Sequence, residues 1–233
     1  VGGLPFEWNF DYSAAGFERS FLDSTMRLGL NQIDLLVIHD LDRSYHGKSV
    51  SNKLQELETG MEWLKMMKNS AAIQAFGAGI NDIEMIPLFL EHFELDFFLV
   101  AMPYTLLNQE PLEDIFPECE RRGIGIIIGS PYASGILASG SKEESKYGYA
   151  AASEEMRKKV QSIEVICEDH GVPLKAAALQ FPLAHPQVSS VIPGALRAAQ
   201  VNENLEMLKI HIPLEFWVEL KQTALLHPEA PVA

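Results

Sequence analysis

Ile33-Asp34-Leu35-Leu36-Val37-Ile38-His39-Asp40 reads as a strand that is apolar almost without a break and ends on two titratable side chains. A run of that kind is the pattern of a strand buried on both faces of a parallel sheet. Its terminal histidine is then delivered to the C-terminal rim, where parallel-strand folds keep their chemistry. Working outward, Ser13 is placed to cap a helix that runs to about Leu28 and stops at Gly29. Downstream, a polar loop from Asp42 to Ser51 leads to a helix carrying Leu54, Leu57, Met61 and Leu64 at helical spacing. Strand-like runs follow at Ala72–Gly79, Leu95–Ala101, Gly123–Ile128 and Val188–Ile192. Helical runs separate them: one capped by Asn81-Asp82, one from Leu112 to Arg122, and one with Met156, Val160, Ile163 and Cys167 on a single stripe. A longer connection, Ser130 to Ala152, is rich in Gly, Ser and Tyr. Leu174–Leu183, Ala198–Leu208 and Leu214–Leu226 read as the remaining helices.

Alternation of strand and helix implies a parallel sheet built from right-handed crossovers. Five strands fit an open doubly wound sheet as well as part of a (β/α)₈ barrel, which needs eight. The pattern leaves both open. The 233 residues are 47% apolar and 21% charged, enough for a full core and in the size range of one α/β domain. A net charge of −14 argues against nucleic-acid or anionic-membrane partners, which call for clustered Lys and Arg. Cys119 and Cys167 lie far apart in helix-like stretches, the pattern of reduced, buried thiols in a cytoplasmic protein. Apolar runs are strand-length, too short to span a bilayer, and no paired histidine spacing points to a metal.

From Ser20 to Asp40 the chain reads S-F-L-D-S-T-M-R-L-G-L-N-Q-I-D-L-L-V-I-H-D. Four further blocks follow in order: Phe76-Gly77-Ala78-Gly79-Ile80-Asn81, Pro103-Tyr104-Thr105-Leu106-Leu107, Gly129-Ser130-Pro131-Tyr132-Ala133-Ser134-Gly135-Ile136-Leu137, and Ile192-Pro193-Gly194 with Glu203-Asn204. Together they resemble the aldo-keto reductase family. Phe10-Asp11-Tyr12-Ser13 and His170-Gly171-Val172-Pro173-Leu174 are similar to its branch of sugar and pyridoxal dehydrogenases. The resemblance implies a TIM barrel of aldo-keto reductase type, with strands four to eight and their helices present and the first three strands absent or truncated. Residues 1–233 would then form one barrel domain, incomplete at its N-terminus.

The resemblance also implies chemistry. The family trades a substrate proton through a Tyr whose pKa a Lys lowers, beside an Asp, while a His orients the substrate oxygen. Only the His has a counterpart, His39; the Lys would stand just before Val1-Gly2. Gly79 and Asn81 fall at the strand end that holds the nicotinamide carboxamide, and Gly77-x-Gly79 alone is a weak dinucleotide fingerprint. Ser130, Pro131, Ser134, Gly135 and Leu137 belong to the loop expected to wrap the cofactor's pyrophosphate. Ile192, Pro193, Gly194, Gln200, Glu203 and Asn204 would form the adenosine end. NADP-using relatives carry Lys and Arg at the positions of Gly194 and Gln200. A phosphate dianion without paired cations is poorly held, so NAD is expected in preference to NADP. Tyr45, in the loop after the catalytic strand, is a further candidate for the substrate pocket, with His46 beside it. The implied reaction moves a hydride between the cofactor and a small-molecule carbonyl or alcohol, of aldose or pyridoxal type. The alternative is a truncated or pseudoenzyme form of the fold that binds nucleotide or a protein partner.

Overall fold

The computed structural model describes residue 7, residues 9–148 and residues 150–232. The expectation about Val1-Gly2 lies outside the described residues. From Ser13 onward the elements are α1 (Ala14–Leu28), β1 (Leu35–His39), α2 (Arg43–His46), α3 (Val50–Asn69), β2 (Ala75–Ile80), α4 (Met85–His92), β3 (Phe97–Ala101), α5 (Ile115–Arg122), β4 (Gly125–Gly129), α6 (Ile136–Ser139), β5 (Lys146–Tyr147), β6 (Ala150–Ala151), α7 (Glu154–Asp169), α8 (Leu174–Gln180), β7 (Val188–Ile192), α9 (Ala198–Met207) and α10 (Leu214–Gln222).

Five strands form one parallel sheet in the order β1-β2-β3-β4-β7. Each new strand is added on the same side of the last. A doubly wound sheet must reverse its strand order at a switch point; here none occurs, so the open alternative falls. What remains is a five-stranded arc of a (β/α)₈ barrel, with β1 and β7 at its edges. Alternation along the strands separates two faces. Ile38, Phe76, Ala78, Ile80, Phe98, Val100, Ile126 and Ile128 join the hydrophobic core under the helices. Leu35, Val37, His39, Gly79, Leu99 and Ala101 face the concave side.

That concavity corrects one expectation. β1 is not buried on both faces: Leu35 is 47% and Val37 38% exposed, while Ile38 is 4% exposed. β1 is an edge strand, and the described residues leave its concave face uncovered.

Helix ends follow the local chemistry. The Ser13 hydroxyl accepts from Gly16 N–H at 3.2 Å to start α1, and Gly29, left-handed at φ 65°, ends it. Two expectations fail. The polar stretch after β1 is not all loop, because the carboxylate of Asp42, 2% exposed, accepts from Ser44 N–H at 2.8 Å and Tyr45 N–H at 3.2 Å and nucleates α2. Asn81-Asp82 does not cap α4 directly: Asp82 accepts from Glu84 N–H at 3.1 Å in a turn one step earlier. Within Ser130–Ala152, α6 and the antiparallel β5–β6 pair add structure that the composition did not announce.

Cys119 and Cys167 are both free and buried. Burial raises their thiols to about 11 and about 12, so neither is a ready nucleophile. Among the described residues no helix is long and apolar enough to cross a membrane.

An aromatic cluster behind the sheet includes a histidine. Tyr104, fully buried, packs at 4.8 Å on Phe116, 5.1 Å on Phe181 and 5.6 Å on His185. His185 Nδ1 accepts from Gln187 N–H at 3.1 Å, which requires an unprotonated Nδ1. Burial lowers the pKa of His185, opposed in part by Glu120. The unfolded chain therefore binds this proton first, and stability falls as pH drops through the ordinary imidazole range near about 6.5. Unfolding free energies measured from pH 7.5 to 5 are expected to decline less steeply for His185→Gln than for the parent. Parallel slopes would refute the assignment.

Candidate active site

All five strands point the same way, so their C-terminal ends make one rim. His39 ends β1, and Asp40 turns the chain away at φ 52°. Met102 after β3 and Ser130 after β4 make the same left-handed turn, at φ 81° and φ 52°. Left-handed backbone costs a residue with a Cβ roughly 1–2 kcal/mol. Strain gathered on one rim, at three of the five strand exits, marks that rim as the working face.

Asp40 does more than turn. Its carboxylate accepts from His39 Nδ1 at 2.8 Å, with the imidazole 77% and the carboxylate 13% exposed. A carboxylate only accepts, so Nδ1 carries the proton in this pair. Nε2 is left for another partner. The ring stands at a concave cavity of about 370 Å³ lined by Val37, His39, Tyr45, Gly79, Asn81 and Leu99, among others. Sequence reasoning thus placed His39, Tyr45, Gly79 and Asn81 apart along the chain, and the fold brings them to one cavity. A neighbouring cavity of about 430 Å³ shares Asn81 and Ala101 and extends past Met102 to Tyr147.

Two contacts fix the walls. Arg43 of α2 bonds Glu84 at 2.6 Å and Asp82 at 3.3 Å, tying the loop after β1 to the loop after β2. The ring of Tyr45, 49% exposed, meets Phe10 edge-on at 5.3 Å.

The loop after β4 is built from left-handed residues: Ser130, Ala133 and Ser134 at φ 52°, 47° and 58°, then Gly135 at φ 99°. Ser134 Oγ donates to Met102 Sδ at 3.3 Å, linking this loop to the β3 exit. Pro131 and Leu137 are buried, Leu137 completely, so Leu137 packs inside the loop and offers a ligand no exposed surface. Tyr132, which sequence reasoning passed over, donates from its hydroxyl to Asn204 Oδ1 at 2.8 Å in a buried bond. Burial, helped by Glu203, pushes that hydroxyl up to about 12. Asn204 is 9% exposed and braces α9 against the loop, and its amide is committed to Tyr132 at least in part. Glu203 pairs with Lys175 at 2.5 Å.

At the end of β7 Ile192 is exposed, and past it Pro193 is partly buried and Gly194 exposed, with nothing within 4 Å of where a Cβ would sit. Gln200 is employed locally, its side-chain oxygen accepting from Leu196 N–H at 2.7 Å and Arg197 N–H at 3.1 Å to start α9. His39 on β1 and the Glu203–Asn204 pair after β7 stand at opposite edges of the arc, with the β3 and β4 exits between them.

Comparison with known proteins agrees with this fold. Over 226 residues the chain is 38% identical to pyridoxal 4-dehydrogenase of Microbacterium luteolum, covering 96% of this chain and 66% of that protein. Over 221 residues it is 34% identical to D-threo-aldose 1-dehydrogenase of a Pseudomonas species, covering 94% and 64%. The chain therefore spans just under two thirds of the length of these relatives. Among solved structures, the holo form of an aldo-keto reductase from Bacillus halodurans superposes with a TM-score of 0.70 at 22% identity. That match covers 97% of this chain and 72% of that one, a likeness of fold. The profile of the Aldo/keto reductase family matches residues 3–224, and with the fold in agreement the chain belongs to that family of oxidoreductases.

Proposed function

We infer that this chain carries the substrate-orienting and cofactor-binding arc of an NAD-dependent dehydrogenase acting on a sugar hemiacetal or a comparable ring aldehyde or alcohol. The observation that carries the reading is His39, held by Asp40 through Nδ1 with Nε2 left for the cavity. Relatives named for pyridoxal and aldose oxidation support the substrate class. Because the chain spans 66% and 64% of those relatives, the complete reaction is proposed for a protein of their length.

His39 Nε2 binds the substrate oxygen and fixes which carbon faces the cofactor. Val37 and Leu99 keep that corner apolar, and Tyr45 walls the open side. Bound nicotinamide supplies the hydride acceptor. Asn81 lies where a side-chain amide meets a carboxamide, and the Ser130–Gly135 loop offers hydroxyls and backbone to the pyrophosphate. Adenosine falls to Gly194, Glu203 and Asn204. Gly194 and Gln200 bring no cation, and Lys175 is neutralised by Glu203. The uncharged pair at those positions supports NAD over NADP, while Arg197, the cation nearest in sequence, would favour some residual NADP binding.

The test is NADH formation, followed at 340 nm, with L-fucose, D-arabinose, D-galactose and pyridoxal, each against NAD and NADP. Turnover with NAD at least tenfold more efficient than with NADP supports the reading. NAD binding with no turnover on any of these substrates would favour the binding-module alternative. The double variant Gly194→Lys/Gln200→Arg is expected to tighten NADP about tenfold through charge-assisted bonds. It should also lower the melting temperature slightly, since it removes the Gln200 cap, worth roughly 1 kcal/mol.

A further inference from the structure

The segment ahead of α1 reaches the rim through one side chain. Tyr12 is 3% exposed, and its hydroxyl donates to the carbonyl oxygen of His39 at 3.1 Å. The same hydroxyl lies 2.8 Å from His46 Nε2. A phenol has one proton, and a backbone carbonyl can only accept. That proton belongs to His39, so the contact with His46 requires Nε2–H to donate. The two bonds have one direction: His46 Nε2–H to Tyr12 Oη, then Tyr12 Oη–H to the His39 carbonyl.

The surroundings hold this arrangement. Burial, reinforced by Asp40, Asp42 and Glu56, raises the Tyr12 hydroxyl above the ordinary phenol range, so it keeps its proton. Tyr12 N–H donates to Glu56 Oε1 at 2.8 Å. Lys53, bonded to Glu56 at 2.6 Å, lies 5.7 Å over the Tyr12 ring. Phe10 and Tyr12 meet the His46 ring edge-on at 4.7 Å and 5.5 Å.

We propose that Tyr12 and His46 are positioning residues for His39, their hydrogen-bond relay bracing the two ends of the segment 39–46. The inference rests on the function proposed above. Within that segment lie the left-handed Asp40 that grips the imidazole and the Tyr45 that walls the cavity. The His39 carbonyl sits at the base of the orienting side chain, so a brace there converts a loose strand end into a fixed mount. Displacements near 1 Å at a reacting geometry cost up to about a hundredfold in rate.

Tyr12→Phe removes one oxygen and leaves the ring. In the enzyme, kcat is expected to fall roughly tenfold, with the NAD dissociation constant and melting temperature near those of the parent. His46→Gln, whose amide still donates, should retain most of the rate, whereas His46→Leu should match Tyr12→Phe. A second readout needs no turnover. Long-range ¹H–¹⁵N spectra should show neutral His46 as the Nε2–H tautomer, with that preference relaxed in Tyr12→Phe. The proposal is overturned by a Tyr12→Phe kcat within twofold of the parent, by an Nδ1–H tautomer at His46, or by a rate loss that tracks lost NAD affinity and melting temperature. If His39→Ala leaves the rate intact, the proposed function fails instead, and the tautomer result still stands by itself.

Discussion

His39→Ala is expected to lower kcat/KM for the proposed oxidation by about a hundredfold to a thousandfold, the usual cost of removing one preorganised hydrogen-bonding group from a reacting oxygen. The structure makes the loss local. His39 is exposed along its side chain, and its only charged partner in the described structure is Asp40 at 2.8 Å, so truncation opens no core cavity. Cofactor affinity should be nearly unchanged, because the groups assigned to the pyrophosphate and adenosine lie beyond β4 and β7. His39→Gln, which keeps a polar group near the place of Nε2, should recover part of the rate. Asp40→Asn is expected to be milder than Asp40→Ala. Its amide oxygen still accepts from Nδ1, and Asn tolerates the left-handed backbone better than Ala does. Initial rates at 340 nm, with NAD binding followed by fluorescence, separate these cases. A His39→Ala enzyme within threefold of the parent would remove His39 from the site.

Gly77→Val is expected to abolish folding at moderate temperature, and Gly77→Ala to cost about 2–4 kcal/mol, at or beyond the usual range for overpacking. Gly77 pairs with Val37 on one side and Phe97 on the other. A Cβ at Gly77 would run into the Phe97 carbonyl oxygen and the Phe97 ring. The oxygen is backbone held in the sheet ladder, and Phe97 is 6% exposed, so neither can swing away. Gly79, two residues on, is the control. There a Cβ would meet the end of the Val37 side chain at 3.2 Å, which a small rotation relieves. Gly79→Ala should therefore cost less than about 1 kcal/mol, a surface-like value. Urea unfolding of the three variants measures the contrast; a Gly77→Ala protein as stable as Gly79→Ala would show that Phe97 is not fixed in place.

Much of the scaffold was legible because the deciding forces are local. Ser13 and Gly29 delimit α1 by cap chemistry, and Val188–Ile192 shows as a strand between turn residues. The His39 end of β1 followed from an apolar run that stops on polar residues. Where reading failed, the cause was often long-range and otherwise lay in backbone geometry. Leu35 and Val37 are as apolar as Ile38, and only the sheet order reveals that they line an edge strand's open concave face. Tyr12 gives no sequence signal for a bond to a carbonyl 27 residues away. Tyr132 sat inside a recognised loop, but its partner Asn204 is 72 residues distant. Gln200 was read as a missing phosphate ligand; its work as the cap of α9 depends on backbone geometry that residue identity does not carry.

The strictly sequential strand order has a consequence for assembly. β1, β2 and β3 each pair with the strand next in sequence, and β7 closes on β4 after the β5–β6 excursion. The first three pairings each close one βα unit, whereas the pairing of β7 with β4 closes a much longer connection. Damage is then directional. A lesion in β2 takes away the strand that β1 pairs with, whereas a lesion in β7 leaves β1 to β4 paired and disturbs the strand that leads to Gly194, Glu203 and Asn204.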